Sequence, residues 1–427
     1  MKKTLMIILD GVADVGNRTP LMLASKPNID WLASHSECGL WKPSVPKNYS
    51  LTNFSEIGTL ELLGCFQCPG RGYLEALGIG LKPDKKAVYF RANFATVRKI
   101  KKGYKLIDRR AGRDETGLDE LTKAVNKIKI KGANIKFYKS SEHRGVLVIR
   151  QKGSGNNHSF SKNDYNITDA DLGKTISYVK ALDKSSKKMA DILNEFMDKS
   201  YDVLNCHKIN KKRKLAANFL LLRGAGHYLK VRPFEKVFGS KGAVVSDARI
   251  IDGIAKFLGL DVYNVKGADG GYDSNIKGQI DKTLELLGEN SYSSRKNSNN
   301  KNTSQASYDI NSSFAKQKSY HKYNFVLLHI KGTDIASHDK NPKKKKDVIE
   351  KFDKEFARLL KLKNINIIVT ADHITSSKTG MHENGNVPFI LYDPDNEIYC
   401  ERKFHEHGCR DFVTKNPMRT LINQISQ

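Results

Sequence analysis

The sequence offers little that points to a membrane or an oxidising compartment. No apolar run approaches the ~20 residues needed to cross a bilayer. The N-terminal segment has two lysines ahead of an apolar stretch, as a signal peptide would. That stretch is too short for an h-region, and it stops at Asp10 with no small-residue cleavage site. It reads as a buried parallel strand, and a soluble, cytoplasmic protein is expected. The six cysteines (Cys38, Cys65, Cys68, Cys206, Cys400, Cys409) are scattered without a regular framework, so reduced thiols are expected. Cys65-Phe66-Gln67-Cys68 has zinc or redox spacing, and the tail from Cys400 to Cys409 holds further thiols and imidazoles. Zinc modules usually show two tight cysteine pairs, and plain cysteines are the better reading.

Acidic residues are also scarce, 46 against 73 Lys and Arg, for a net charge of +27. Clustered cations can neutralise nucleic-acid phosphates. Here no aromatic-interleaved RNA motif or helix-turn-helix accompanies the charge, and lysines run along the whole length. A solvated lysine-rich surface is expected, with the densest runs (Lys211-Lys212-Arg213-Lys214 and Lys343-Lys344-Lys345-Lys346) in loops. Such a field would steer a small anionic substrate toward the protein. No nucleic-acid or membrane partner is expected, and the oligomeric state is not legible.

What is present is an alternation of apolar strands and amphipathic helices. A strand over Thr4 to Leu9 is followed by helical spacing at Asn28 to His35 and at Ser50 to Leu63, the latter ended by Gly64. From about Ala87 the texture changes. Tyr89 to Val97 and Gly145 to Arg150 alternate like strands, with a helix candidate from Leu118 to Ile128 between them. The α/β pattern is expected to resume at Asn218 to Leu222. Further strands are expected at Ala243 to Val245, Phe325 to Ile330 and Ile365 to Val369, and helices at Ala248 to Leu258, Gln279 to Leu287 and Asp347 to Leu362. Such alternation implies an α/β fold with a mostly parallel sheet covered by helices on both faces. The expected organisation is a core formed by residues 1–85 and 215–427, interrupted by a small α+β domain at 86–214. Residues 289–322, rich in Asn, Ser and Lys, read as a disordered insertion without chemistry, and Cys206 to Lys214 as a shorter basic one.

Several strands end on acids. Asp10 follows the first directly; Asp334 and His338 follow Phe325 to Ile330; Asp372 and His373 follow Ile365 to Val369, with His382 a little further on. Strand carboxyl ends share one edge of an open α/β sheet, so these groups should converge in one crevice. Singly, each has a bland reading as a turn residue, cap or structural histidine. Together they form a mixed oxygen and nitrogen ligand set suited to manganese or zinc. Unpaired carboxylates in one cleft would repel, and divalent cations relieve that cost. Two such ions can clamp the attacking and leaving oxygens of an in-line displacement. A serine at a helix start would be the nucleophile; Ser55 fits, with Ser50 and Thr52 competing.

The motifs Ile8-Leu9-Asp10-Gly11, Thr19-Pro20-Leu21, Pro27-Asn28-Ile29-Asp30, Gly70-Arg71-Gly72 with Glu75-Ala76-Leu77-Gly78, and Asp108-Arg109-Arg110-Ala111-Gly112-Arg113 occur in that order. They continue with Glu142-His143-Arg144, Arg223-Gly224-Ala225-Gly226, Lys331-Gly332-Thr333-Asp334 with His338, and Thr370-Ala371-Asp372-His373. The series resembles the archaeal cofactor-independent phosphoglycerate mutases, of the alkaline-phosphatase-like superfamily, over nearly the whole chain apart from the insertions. The resemblance implies an alkaline-phosphatase-like core with an inserted lid. It also implies a phosphoserine route between 3- and 2-phosphoglycerate, and two divalent ions. One ion would sit on Asp334, His338 and His382, the other on Asp10, Ser55, Asp372 and His373. Ser55 and Lys331 would be catalytic, and Arg71, Arg109, Arg113, Arg144 and Arg223 would bind the substrate's phosphate and carboxylate. After the Ser-acid pair this chain has Ile57-Gly58-Thr59 where the family usually has Thr-Ala and then His or Asn. It also has Phe54 where a glycine commonly precedes the serine.

Overall fold

The computed structural model describes residues 2–44, 54–101, 103–151, 175–288, 323–409, 413–414 and 416–418. The insertion read at 289–322 lies outside these residues, as do Ser50 and Thr52. Two strands open the chain, β1 (Lys3–Leu9) and β2 (Glu37–Trp41). A middle stretch supplies β3 (Ala87–Ile100), β4 (Gly103–Asp108), β5 (Ala133–Lys139), β6 (Arg144–Gln151), β7 (Thr175–Ile176) and β8 (Phe219–His227). The last stretch gives β9 (Gly242–Val245), β10 (Asp261–Tyr263), β11 (Phe325–Ile330) and β12 (Ile365–Thr370). It closes with β13 (Ile374–Thr375), β14 (His382–Glu383), β15 (Val387–Tyr392) and β16 (Val413–Thr414).

The first sheet has the order β10-β9-β11-β1-β12-β15-β2-β16. Only β15 runs against the rest, pairing antiparallel with both β12 and β2. Its central strands β1, β11 and β12 are almost entirely buried, which is why they read as continuous apolar runs rather than alternating ones. Leu9 lies opposite Ile330, and Ile8 opposite Thr370. The residues that follow, Asp10, Lys331 and Ala371-Asp372, therefore leave the sheet side by side. The expected α/β class with a mostly parallel sheet stands. Among the described residues no helix is long and apolar enough to cross a membrane.

The second sheet is antiparallel, β5-β6-β3-β4-β7, with β8 also on β3. Its core packs against the helices Leu118–Val125 and Lys187–Asn205. The apolar strand at Phe219 to Leu222 belongs here, pairing with β3 from Ala92 to Ala95, and not to the parallel sheet where the sequence placed it. A run of four buried apolar residues looks the same in either sheet. Periodicity carries no information on which neighbour it will find.

The run Lys343 to Lys346, and Lys211 and Lys212 of the other, depart from the loops expected for them, whereas Arg213 and Lys214 do lie in one. Lys343 to Lys346 lie in the helix Pro342–Phe356, whose start is set by Pro342 and by the Asn341 side chain accepting from Lys344 N. Lys345 is fully buried, its ammonium donating to Asp14 Oδ2 at 3.0 Å and to the Ala13 and Thr375 carbonyls. Lys211 and Lys212 close the helix Lys208–Lys212, where buried Asn210 bonds Leu204 O, Ala217 O and Ala217 N. A segment read as an insertion is thus packed into the second unit.

Candidate metal centre

The parallel strands deliver their terminal acids to one place. Asp10 and Asp372 are completely buried, Asp334 nearly so. Gly11, in the left-handed region (φ 57°), turns the chain after β1 so that its N–H donates to Asp372 Oδ1 at 3.1 Å. A side chain there would collide with Thr375 Oγ1.

His373 Nε2 is the focus of one half of the site. It lies 2.8 Å from Ser55 Oγ, 3.2 Å from Asp10 Oδ1 and 3.5 Å from Asp372 Oδ2. Neither of those two carboxylate oxygens has a hydrogen-bond partner. In the other half, His338 Nε2 and His382 Nε2 face each other at 3.1 Å, and lie 3.4 and 3.5 Å from the Asp334 oxygens. The His382 ring centroid lies 4.2 Å from that of His373 and 4.9 Å from that of His338, each pair tilted. All seven residues expected as metal ligands therefore meet. Ligand atoms of Asp334, His373 and His382 lie within 4.8 Å of one another, as do those of Asp10, His329 and Asp372. Orphaned buried carboxylate oxygens and imidazole nitrogens facing one another fit a divalent cation better than they fit a bare protein interior.

The electrostatics show the same tension. Burial pushes the Asp372 carboxyl up to about 6, with Asp10 adding repulsion. Burial also opposes charge on Asp10 and Asp334, yet Lys331 pulls the first well below the carboxylate range, and His338 and Lys331 the second. Lys331 Nζ lies 2.7 Å from Asp10 Oδ2 and 2.6 Å from Asp334 Oδ2, tying the two acids together. Burial lowers His382 to about 4, helped by His373.

Several arginines lie around Glu56 and Glu75, beginning next to Ser55. Arg71 pairs with Glu56, the residue after Ser55, at 3.0 Å and with Glu75 at 2.8 Å. Burial opposes its charge, but these two carboxylates raise its pKa further. On the second sheet Arg223 lies directly opposite Arg91, and Arg144 opposite Asn93. Like charges facing each other across strands are destabilising. Burial, followed by repulsion from Arg223, drives Arg91 well below its usual range. Glu75 answers part of this charge, with Arg91, Arg71 and Arg223 all acting to lower its own pKa. Arg109 is half-buried at the end of β4. Exposed Arg113, in a left-handed conformation (φ 56°), reaches to 3.6 Å from Asp339 beside His338.

Sequence comparison gives this arrangement a family. The model of the 2,3-bisphosphoglycerate-independent phosphoglycerate mutases matches residues 33–210. The mutase of that name from Thermococcus kodakarensis is 34% identical over 404 residues, spanning 91% of this chain and 88% of its own. The chain belongs to the 2,3-bisphosphoglycerate-independent phosphoglycerate mutases. Another member, mutase 1 of Methanocaldococcus jannaschii, is 32% identical over 95% of this chain and 92% of its own. Among solved structures, the cofactor-independent phosphoglycerate mutase of Thermoplasma acidophilum superposes with a TM-score of 0.61 at 27% identity, each chain fully covered. The PH0037 protein of Pyrococcus horikoshii reaches 0.72 at 26% identity, covering all of this chain and 97% of its own.

Against this mutase family, two of the departures around Ser55, Gly58 and Phe54, have local reasons. Gly58 lies against the Asp372 carbonyl, and a Cβ there would come within 2.1 Å of that oxygen. Glycine lets the helix Phe54–Leu62 settle onto the chain just past β12, at Asp372 and His373. Phe54 packs edge-on to His373 and His382. Thr59 is buried, with its hydroxyl unpartnered. Two residues of the site escaped the sequence reading, Arg91 and His329. Arg91 sits within an alternating strand, and His329 is the one polar residue in the β11 run. That interruption was the only signal available for it.

Proposed function

We propose that this chain interconverts 3-phosphoglycerate and 2-phosphoglycerate without bisphosphoglycerate, through a phosphoserine at Ser55. The observation that carries the reading is Ser55 Oγ, buried at the start of its helix and 2.8 Å from His373 Nε2, which itself lies beside two carboxylate oxygens that lack partners. Ser55 Oγ attacks the phosphoryl group, and its bond to phosphorus forms as the bond from phosphorus to the 3-oxygen breaks. Glycerate then turns within the site, and its 2-hydroxyl takes the phosphoryl group back from Ser55. Asp334, His338 and His382 would hold one divalent ion, and Asp10, Ser55, Asp372 and His373 the other, manganese or zinc by the mixed ligand chemistry. Bound there, the two cations supply positive charge at the attacking and leaving oxygens.

Lys331 holds Asp10 and Asp334 in register and adds a cation at the cluster. Arg71, Arg91, Arg144 and Arg223, with Arg109 and Arg113 from the loop after β4, bind the phosphate and carboxylate of the substrate; an anion between Arg91 and Arg223 would relieve their mutual repulsion. The unit built on the second sheet acts as the lid that keeps water from the phosphoserine.

The test is conversion of 3-phosphoglycerate in the absence of bisphosphoglycerate, with and without EDTA. Formation of 2-phosphoglycerate that EDTA abolishes is expected. Release of free phosphate in its place would identify a hydrolase and overturn the reading.

A further inference from the structure

His329 stands outside both ligand sets expected from the sequence, although a ring nitrogen lies within 4.8 Å of Asp10 and Asp372 oxygens, and it is completely buried between two carboxylates. Its Nε2 lies 3.2 Å from Asp10 Oδ2 and its Nδ1 3.6 Å from Asp247 Oδ1. Burying an imidazole in an otherwise apolar strand is costly unless its ring nitrogens meet polar partners. Here both of them face acids without closing a hydrogen bond. The three groups come from adjacent strands: Asp247 just beyond β9, His329 within β11, and Asp10 just beyond β1. They form a row across the edge of the sheet that carries the metal centre.

The two oxygens of Asp10 are used differently. Oδ1 points toward His373 Nε2 and has no hydrogen-bond partner, whereas Oδ2 faces His329 and takes the Lys331 ammonium. A carboxylate free to rotate would present either oxygen to a cation. Lys331 donates to Asp10 Oδ2 while also tying down Asp334, and His329 is the second group that faces Oδ2. We propose that His329, backed by Asp247, is a positioning residue that holds Asp10 Oδ2 against the sheet and so presents Oδ1 to the cation beside Ser55. Outer partners of this kind tune affinity without touching the ion. The inference rests on the reading of Asp10 as a metal ligand.

The test titrates EDTA-stripped full-length protein with Mn2+ by calorimetry and checks bound metal after desalting. The wild type is expected to bind two ions. In His329→Leu, one ion should bind about 10–100-fold more weakly while the other keeps its affinity. Asp247→Asn should weaken the same ion, and it decides the matter if His329→Leu does not fold. Unchanged affinity in either folded variant, or equal weakening of both ions, overturns the inference, because a structural role alone would lower melting temperature without selecting one site. A wild type that binds no Mn2+ overturns the reading of Asp10 on which the inference depends, and this result is distinct from the others.

Discussion

The two sheets bring opposite charges to neighbouring ground by different geometric routes. The parallel sheet gathers acids because every strand but β15 points its carboxyl end the same way, so residues as distant as Asp10 and Asp372 share one edge. The antiparallel sheet gathers arginines on its strands through cross-strand register, with Arg91 facing Arg223 and Arg144 a short step away. Acids that repel at a strand edge call for cations, and guanidinium groups that repel across strands call for anions. The contrast teaches that each sheet is electrostatically incomplete in the opposite sense, and a phosphorylated acid together with divalent ions would complete both.

Variants can break this division of labour, and the largest effect is expected at the junction. Ser55→Ala should lower turnover by roughly 10⁴-fold or more, while metal content by elemental analysis stays close to wild type; normal turnover would remove Ser55 from the chemistry. Next comes the buried cation beneath the parallel edge. Lys345→Met leaves Asp14 buried without its ammonium partner and should cost about 3–5 kcal/mol in urea unfolding. A cost under about 1 kcal/mol would show that the Lys345–Asp14 pair is not needed to hold the loop after β1.

Arg91→Ala sharpens the comparison from the other sheet. It should raise KM for phosphoglycerate by about 10–100-fold through lost charged hydrogen bonds, with metal affinity untouched. Loss of metal in that variant would show that the two sheets do not divide the work as argued.

The smallest effect is that of pH. Burial opposes charge on His373, but Asp372 and Asp10 raise its pKa from 6.5 to about 9. In metal-free protein, this charged ring contributes stability in full below pH 6.5 and loses it as pH rises through about 9. A cation needs the neutral ring, so metal affinity should climb over the same window. The gap in melting temperature between metal-loaded and metal-free protein should therefore widen from pH 6.5 to 9. A constant gap would argue against proton release from His373.

Much of the parallel half was legible in the sequence. Buried parallel strands must be apolar on both faces, and an acid directly after such a run is hard to place anywhere but the edge. Asp10 stood out for that reason, Asp372 and Asp334 by lying a few residues past their own strands, and His338, His373 and His382 with them. Ser55 was separable from Ser50 and Thr52 only through the family resemblance, because spacing alone does not say which hydroxyl faces the acids. Lys345 was hidden among four lysines, since a buried ammonium needs carbonyls and an acid from loops far away in sequence.

Composition, strand periodicity and motif order by themselves determined the α/β class, the shared edge of acids and imidazoles, and the family. Pairing partners were decided only by the tertiary structure: β8 on the second sheet, Arg91 opposite Arg223, His329 between Asp10 and Asp247. Local sequence sets how a strand distributes its side chains, but which strand lies alongside is settled by packing over the whole chain.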